Sequence, residues 1–320
     1  MILAINMNPA IDKVYAVDDY QAGKVFRPRA MTATAGGKGL NVARVAYLLG
    51  EKVIVTGMAG GSIGRLIEDN VKQQGLDSRF VPIQGESRIC INVTDEKNNT
   101  STEILEPGPV VTPEEADRFL DQYMELLEEC SVVTASGSLP EGMPRDFYAL
   151  LIRLAKERGK KFILDTSGEF FKEGIKEKPY MIKPNIDELT SALGFKPTDM
   201  SGYVNAIKMF KDQGIQLPVI SLGKRGCIAA LEDGIYHFTT PDIKVVNTVG
   251  SGDSFVAGCA AGLCRNLPLA DVIKLGMACG TANTQFFKTG WITVDMVNKF
   301  IPRIKYEKLS SERSFENGEG

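Results

Sequence analysis

Short apolar runs alternate along the chain with longer segments in which apolar positions recur every three or four residues. The short runs predict buried strands and the longer segments predict helices laid over them, the pattern of a parallel sheet covered on both faces. Residues 2–6 and 52–56 are strands in this reading, with a helix over 41–49 between them that Gly50 closes. A second helix covers 62–74. Thr112, Pro113, Glu114 and Glu115 open a third that ends at Glu129, with a capping threonine, a proline in the first turn and a glutamate placed to reach back. Residues 131–135, 162–165, 181–183 and 218–221 are short apolar strands, each followed by glycine or a polar turn. The expected fold class is α/β, a mostly parallel central sheet with helices on both faces. Ligands on such sheets collect at the carboxyl ends of the strands.

Two regions break the alternation. Residues 14–17 with 25–34, and 88–94 with 100–105, have the period of β ribbons separated by polar turns. They are expected to form one small sheet, within lid ribbons at about 13–35 and 87–106. Such a sheet suits the covering of a site and the exclusion of water, and it suits pairing with a second subunit; periodicity alone fits plain surface hairpins equally. Residues 1–304 are expected to form a single domain, and 305–320 a polar tail whose last part, from 310, is disordered.

Composition narrows the function. At 320 residues, 43% hydrophobic and 24% charged, the chain can bury a full core. A net charge of −3 leaves no basic surplus for a nucleic-acid backbone, so an anion site must be local and its ligand small. The six cysteines form no C-x-x-C pair, which indicates a reducing compartment. The apolar stretch before Asn6 is too short for a signal core and no run approaches a membrane span, so the expectation is a cytoplasmic protein without a membrane partner. His237, the only histidine, lies in a strand-like run after Asp233-Gly234 and is expected to be structural. Its isolation removes histidine triads and multi-histidine metal sites, leaving carboxylates for proton transfer.

The most informative segment is 249–258, where Gly250, Ser251, Gly252 and Asp253 run into a small-apolar helical pattern. Glycines let backbone N–H groups face outward, and the following helix aims its positive dipole end at an anion. An acid in that first turn, beside a phosphate, suits a base for a hydroxyl attacking phosphorus. An ordinary glycine loop capped by Ser251 or Asp253 fits the same letters. Gly36, Gly37, Lys38, Gly39 and Asn41 precede the first long helix; no Ser or Thr follows Gly-Lys, so this is no Walker loop, and it suits a polyol and its phosphate or a tight turn. Asp12 follows the first strand and suits sugar hydroxyls or an Asx turn. Lys183 leads to Asn185 and Glu188, three apart at a helix start, which either share a metal-bound water or cap that helix. Ser221, Gly223 and Gly226 end another strand and either line a nucleotide groove or turn a hairpin.

In this order the five segments resemble the ribokinase-like PfkB carbohydrate kinases, from Met1 to about Ile304. The resemblance implies ATP and Mg2+ as cofactors. It implies Asp253 as catalytic base, with Gly250, Ser251 and Gly252 as the anion hole. Asp12, Gly37, Lys38, Asn41 and Ser138 would hold the sugar; Lys183, Asn185, Ser221, Gly223, Gly226 and Asn283 would line the nucleotide side; Asn185 and Glu188 would hold magnesium through water. Lys24 and Arg88 are similar to the basic residues with which the phosphohexose branch grips its substrate's phosphate. The wording around 34–41, 102–109 and 288–290 is similar to tagatose-6-phosphate kinases first and 1-phosphofructokinases second. The implied reaction turns a ketohexose monophosphate into a bisphosphate, in a homodimer joined through the lid sheet. A catalytically idle sugar-phosphate or nucleotide sensor, and a kinase of nucleosides or free sugars, are the alternatives.

Overall fold

The computed structural model describes residues 1–98 and 100–309. Its larger sheet has ten strands and is built outward from β1 (Ile2–Asn6). On one side lie β4 (Val53–Gly60) and β5 (Asp77–Ile83). On the other follow β8 (Val132–Ser136), β9 (Lys161–Asp165), β10 (Met181–Ile182) and β11 (Leu217–Ser221), all parallel. Three antiparallel strands complete that edge: β12 (Cys227–Ala230), β13 (Ile235–Thr239) and β14 (Lys305–Lys308). The outermost was expected to belong to a polar tail. Its four residues are exposed; they pair with the free edge of β13, and the Tyr306 ring stacks on Phe238 with centroids 5.0 Å apart. Residues 310–320 lie outside the described residues.

Side chains alternate across a strand, and that splits the core in two. Ile2 and Ala4 face one layer, with α1 (Lys38–Leu48), α2 (Gly61–Gln73), α8 (Ser251–Cys264), α9 (Leu269–Asn283) and α10 (Val294–Phe300). Leu3 and Ile5 face the other, where α3 (Pro113–Glu129), α4 (Phe147–Glu157), α5 (Gly168–Lys176), α6 (Ile186–Leu193) and α7 (Met200–Asp212) supply the cover. The capping box expected at Thr112 and Glu115 is present. α8 is buried nearly all round, which explains its uniformly small apolar sequence. A Cβ at Gly258 would stand 2.7 Å from Leu275 O, so α8 and α9 touch backbone to backbone there.

The two ribbons do form one sheet, in the order β3 (Ala30–Gly36), β2 (Ala10–Val17), β6 (Arg88–Asp95) and β7 (Thr100–Leu105). Its limits differ from expectation, since β2 starts at Ala10 rather than Val14 and β3 runs from Ala30 to Gly36 rather than from 25 to 34. Residues 25–29 are outside the strand, and Pro28, which has no N–H to donate, precedes the point where Arg29 N reaches Ala16 O at 2.8 Å and pairing begins. Buried Asp95 fastens the free end: its carboxylate accepts from the amides of Asp19 and Tyr20 and from the side chain of Asn98.

Candidate active site

The carboxyl ends of the parallel strands open on a cleft of about 1080 Å3, and the small sheet walls its opposite side with Asp12, Cys90, Asn92, Glu103 and Leu105. Three helices begin there, α1, α6 and α8. α8 starts at Gly250, whose φ of 79° is left-handed; a Cβ at that position would lie 2.6 Å from Thr289 Cγ2 and 2.9 Å from Gly290 N. Among the described residues, the amides of Gly252 and Asp253 have no hydrogen-bond acceptor. Free N–H groups at a helix start, with the dipole behind them, are suited to an anion.

Asp253 stands in that first turn and is 7% exposed. Its Oδ2 accepts a 2.8 Å hydrogen bond from Asn41 Nδ2, and its Oδ1 carries none among the described residues. Burial, then the like charge of Asp165, push the carboxyl up to about 6, against the Asn41 bond and the cations Lys38 and Lys183. A group so poised is ionised at neutral pH yet basic enough to take a proton.

α1 contributes the second anion-facing start, with Gly37 as its N-cap at φ 113° and Lys38 and Asn41 on the cleft. Lys38 Nζ is 3.6 Å from Glu188 Oε1, and Asp165 and Glu188 hold its ammonium above the usual lysine range. Asp12 is the third residue of β2, paired with Thr34 of β3, and its side chain lies against Gly36, where a Cβ would overlap its carboxylate. Burial pushes Asp12 up to about 6 although Arg88 and Arg44 pull it down. Arg88 reaches the cleft from β6, with Nε and Nη2 donating to Asn8 O at 3.2 and 3.0 Å and Nη1 to Glu106 O at 3.0 Å. Ser138, exposed after β8, also lines it.

On the remaining wall, Asn185 and Glu188 form a reciprocal capping box for α6, with Glu188 N donating to Asn185 Oδ1 at 2.8 Å and Asn185 N to Glu188 Oε2 at 2.9 Å. Both still face the cleft, with Oε1 of the glutamate outside the cap and paired with Lys38, so capping and ligand contact are compatible. Ser221, Gly223 and Gly226 likewise line the cleft and turn the β11–β12 hairpin at once. Gly226, at φ 87°, leaves no room for a Cβ against Phe238 O.

Two expected residues are not brought to the cleft. Lys24 is exposed on the loop between β2 and β3 and does not line it. Asn283 is fully buried, donating through Nδ2 to Val249 O at 2.9 Å and accepting from Trp291 N at 3.2 Å. It pins the loop before the anion hole, while Gly280, Thr281 and Thr284 of the same region face the cleft. Asp165 escaped the sequence reading. It ends β9, buried in the cleft, with Lys183 Nζ 3.1 Å from Oδ1 in an ion pair too poorly aligned for a hydrogen bond. An acid as last residue of a short apolar strand, at the carboxyl edge of the sheet, was the available signal.

His237 lies in β13, the strand expected there, with its Nε2 2.8 Å from Arg225 O. All six cysteines are free thiols. Among the described residues no helix is long and apolar enough to cross a membrane.

Residues 5–291 match the model of the pfkB family carbohydrate kinases. A tagatose-6-phosphate kinase from Staphylococcus epidermidis is 39% identical over 308 residues, covering 95% of this chain and 99% of that protein. Phosphofructokinase-2 from Escherichia coli, solved with potassium, superposes with a TM-score of 0.90 at 25% identity, over 94% of this chain and 98% of that one. A Thermotoga maritima protein named as a possible 1-phosphofructokinase gives 0.89 at 26% identity, over 97% and 100%. With the order of its motifs, its sheet topology and its full-length relatives in agreement, the chain belongs to the pfkB family of carbohydrate kinases.

Proposed function

We propose that this protein is an ATP-dependent kinase of ketohexose monophosphates whose substrate is tagatose 6-phosphate. The observation that carries the chemistry is Asp253, a buried carboxylate with one free oxygen beside the unpaired amides of Gly252 and itself, in the cleft that also presents Asp12 and Arg88. The 39% identity to a tagatose-6-phosphate kinase over 95% of the chain supports the choice of sugar.

In this reading the acceptor's primary hydroxyl gives its proton to Asp253 Oδ1 as its oxygen bonds to the γ-phosphorus of ATP. The bond to the bridging oxygen breaks and ADP leaves. The anion hole and Lys38 hold charge on the phosphoryl group, Asp12 takes sugar hydroxyls, and Arg88 pairs with the phosphate already on the sugar. Ser221, Gly223 and Gly226 border the nucleotide, and the small sheet keeps water out. Magnesium fits this site as a cation arriving on the nucleotide's phosphates. Among the described residues no group of three or more His, Cys, Asp or Glu would hold it alone, while Glu188 Oε1, Asn185 and the unbonded Oδ1 of Asp165 offer hard oxygens to its waters. When bound, it supplies charge neutralisation.

The exposed Val25, Met31 and Ile104, at 92, 58 and 56%, support a homodimer through the lid sheet. The free cysteines support a cytoplasmic setting. The test is ADP release with tagatose 6-phosphate, fructose 1-phosphate and fructose 6-phosphate, with the product's phosphate positions read by phosphorus NMR. The expected result is the highest kcat/KM for tagatose 6-phosphate. A preference for fructose 1-phosphate would move the protein to the 1-phosphofructokinase side, and nucleotide binding without turnover would make it a sensor.

A further inference from the structure

Arg44, on the second turn of α1, is 5% exposed and does not line the cleft. Its guanidinium donates to Asn41 Oδ1 (Nη1, 2.9 Å), Ala35 O (Nη2, 2.8 Å) and Gln74 Oε1 (Nε, 2.6 Å), and Nη1 also reaches Thr289 O at 3.4 Å. All four acceptors are neutral, and among the described residues no carboxylate lies within ion-pair distance of it. A buried cation without a contacting anion is unfavourable unless its field is used nearby, and the charges that face it are Asp12 and Asp253.

A guanidinium has only donors, so the atom of Asn41 that meets it must be the oxygen. The amide nitrogen of Asn41 is thereby turned to Asp253, where it donates to Oδ2. A flipped amide would set N–H against N–H. The strap at Thr289 and Gly290 closes over this pair: a Cβ at Gly290, whose φ is 62°, would fall 2.8 Å from Asn41 Oδ1 and 3.0 Å from Arg44 Nη1. The bond to Ala35 O fixes the end of β3, next to the Gly36 that abuts Asp12.

We propose that Arg44 is a positioning residue of the phosphoryl-transfer site, which acts through Asn41 to hold Oδ2 of Asp253 and leave Oδ1 free for the acceptor's proton. This rests on the assignment of Asp253 as the base.

The test is a double-mutant cycle in the full-length protein. Arg44→Lys keeps the charge and loses the fork, and it lowers kcat about 10- to 100-fold, as expected for a charged hydrogen bond, with the ATP KM within about twofold. Arg44→Lys combined with Asn41→Ala loses little beyond Asn41→Ala alone, because both act on one bond. Multiplying effects, or a wild-type kcat in Arg44→Lys, would overturn the proposal. Should the lysine variant not fold, Arg44→Met enters the same cycle, since it fills the space with neither a buried charge nor an N–H for Asn41. Asp253→Asn, run in parallel, separates two failures: if it retains turnover the base assignment falls, and if it is inactive while the cycle is additive only the role of Arg44 falls.

Discussion

Replacing Asp253 by asparagine is expected to make a slower and more stable protein. The substitution keeps shape, and the new amide can turn its oxygen to Asn41 Nδ2, so the 2.8 Å contact has a replacement. The carboxylate itself is held in the fold at a disadvantage: burial and Asp165 raise its pKa from 3.8 to about 6. A raised folded-state pKa means that the native protein binds the proton more tightly than the unfolded chain. The stabilising contribution is therefore full below pH 3.8 and is lost as pH rises through about 6. At neutral pH the ionised group opposes folding by about 3 kcal/mol, at 1.36 kcal/mol for each pKa unit. For 320 residues, with an unfolding entropy near 2.1 cal/mol/K per residue, that raises the melting temperature by about 4 °C. The same change removes the proton acceptor, and turnover falls about 10²- to 10⁴-fold while ATP still binds. Calorimetry at pH 7 and pH 4 and a coupled ADP assay check both halves. The gain should shrink toward zero at pH 4, where the native carboxyl is already protonated. An asparagine variant with turnover within tenfold of the parent, or one that is less stable at pH 7 than the parent, would refute the account of Asp253 as a strained base.

Arg88→Ala is expected to raise the KM for the sugar phosphate about 10- to 100-fold and leave that for ATP unchanged, since the guanidinium lies on the lid wall and donates to Asn8 O and Glu106 O away from the hairpin of Ser221 to Gly226; steady-state titration of each substrate decides. Gly36→Ala drives a methyl into the Asp12 carboxylate, the movable end of a side chain, so melting should change little while sugar affinity drops; a variant with unchanged sugar KM would remove Asp12 from the binding set. Because Asp253 must be ionised to act and burial raises its pKa to about 6, kcat at saturating substrates should fall about tenfold per pH unit below pH 6, and an acid limb near pH 4 instead would contradict the buried setting.

Much of the site was legible before the fold because its parts are local. Gly250 to Asp253, Gly36 to Asn41 and Asn185 to Glu188 are each a loop or strand end entering a helix, where capping, left-handed glycines and free amides are properties of a few consecutive residues. Strand and helix periods gave the layered architecture in the same way, and Arg88 could be placed on a ribbon by alternation, whereas Asp12 was placed only after the first strand and the fold extends β2 back to Ala10 to include it. Long-range geometry was not legible. Nothing near Lys24 says that its loop stays outside the cleft, and nothing near Asn283 says that burial against Val249 and Trp291 takes both ends of its amide. The β14 strand at Lys305–Lys308 owes its pairing to an edge left open by β13, far away in sequence.

What the chain determined by itself was the kind of chemistry it suits: glycines and an acid in the first turn of a small-apolar helix, with its one histidine in a strand-like run apart from these motifs. What the tertiary structure decided was the strength and orientation of that acid. The Asp253 carboxyl is raised to about 6 because the fold buries it beside Asp165, and one of its oxygens is left without a partner while Asn41, itself bonded to the buried Arg44, occupies the other. Desolvation and amide orientation depend on what packs around a group from every side, and those neighbours are supplied by residues more than two hundred positions apart as well as by the next turn of the same helix.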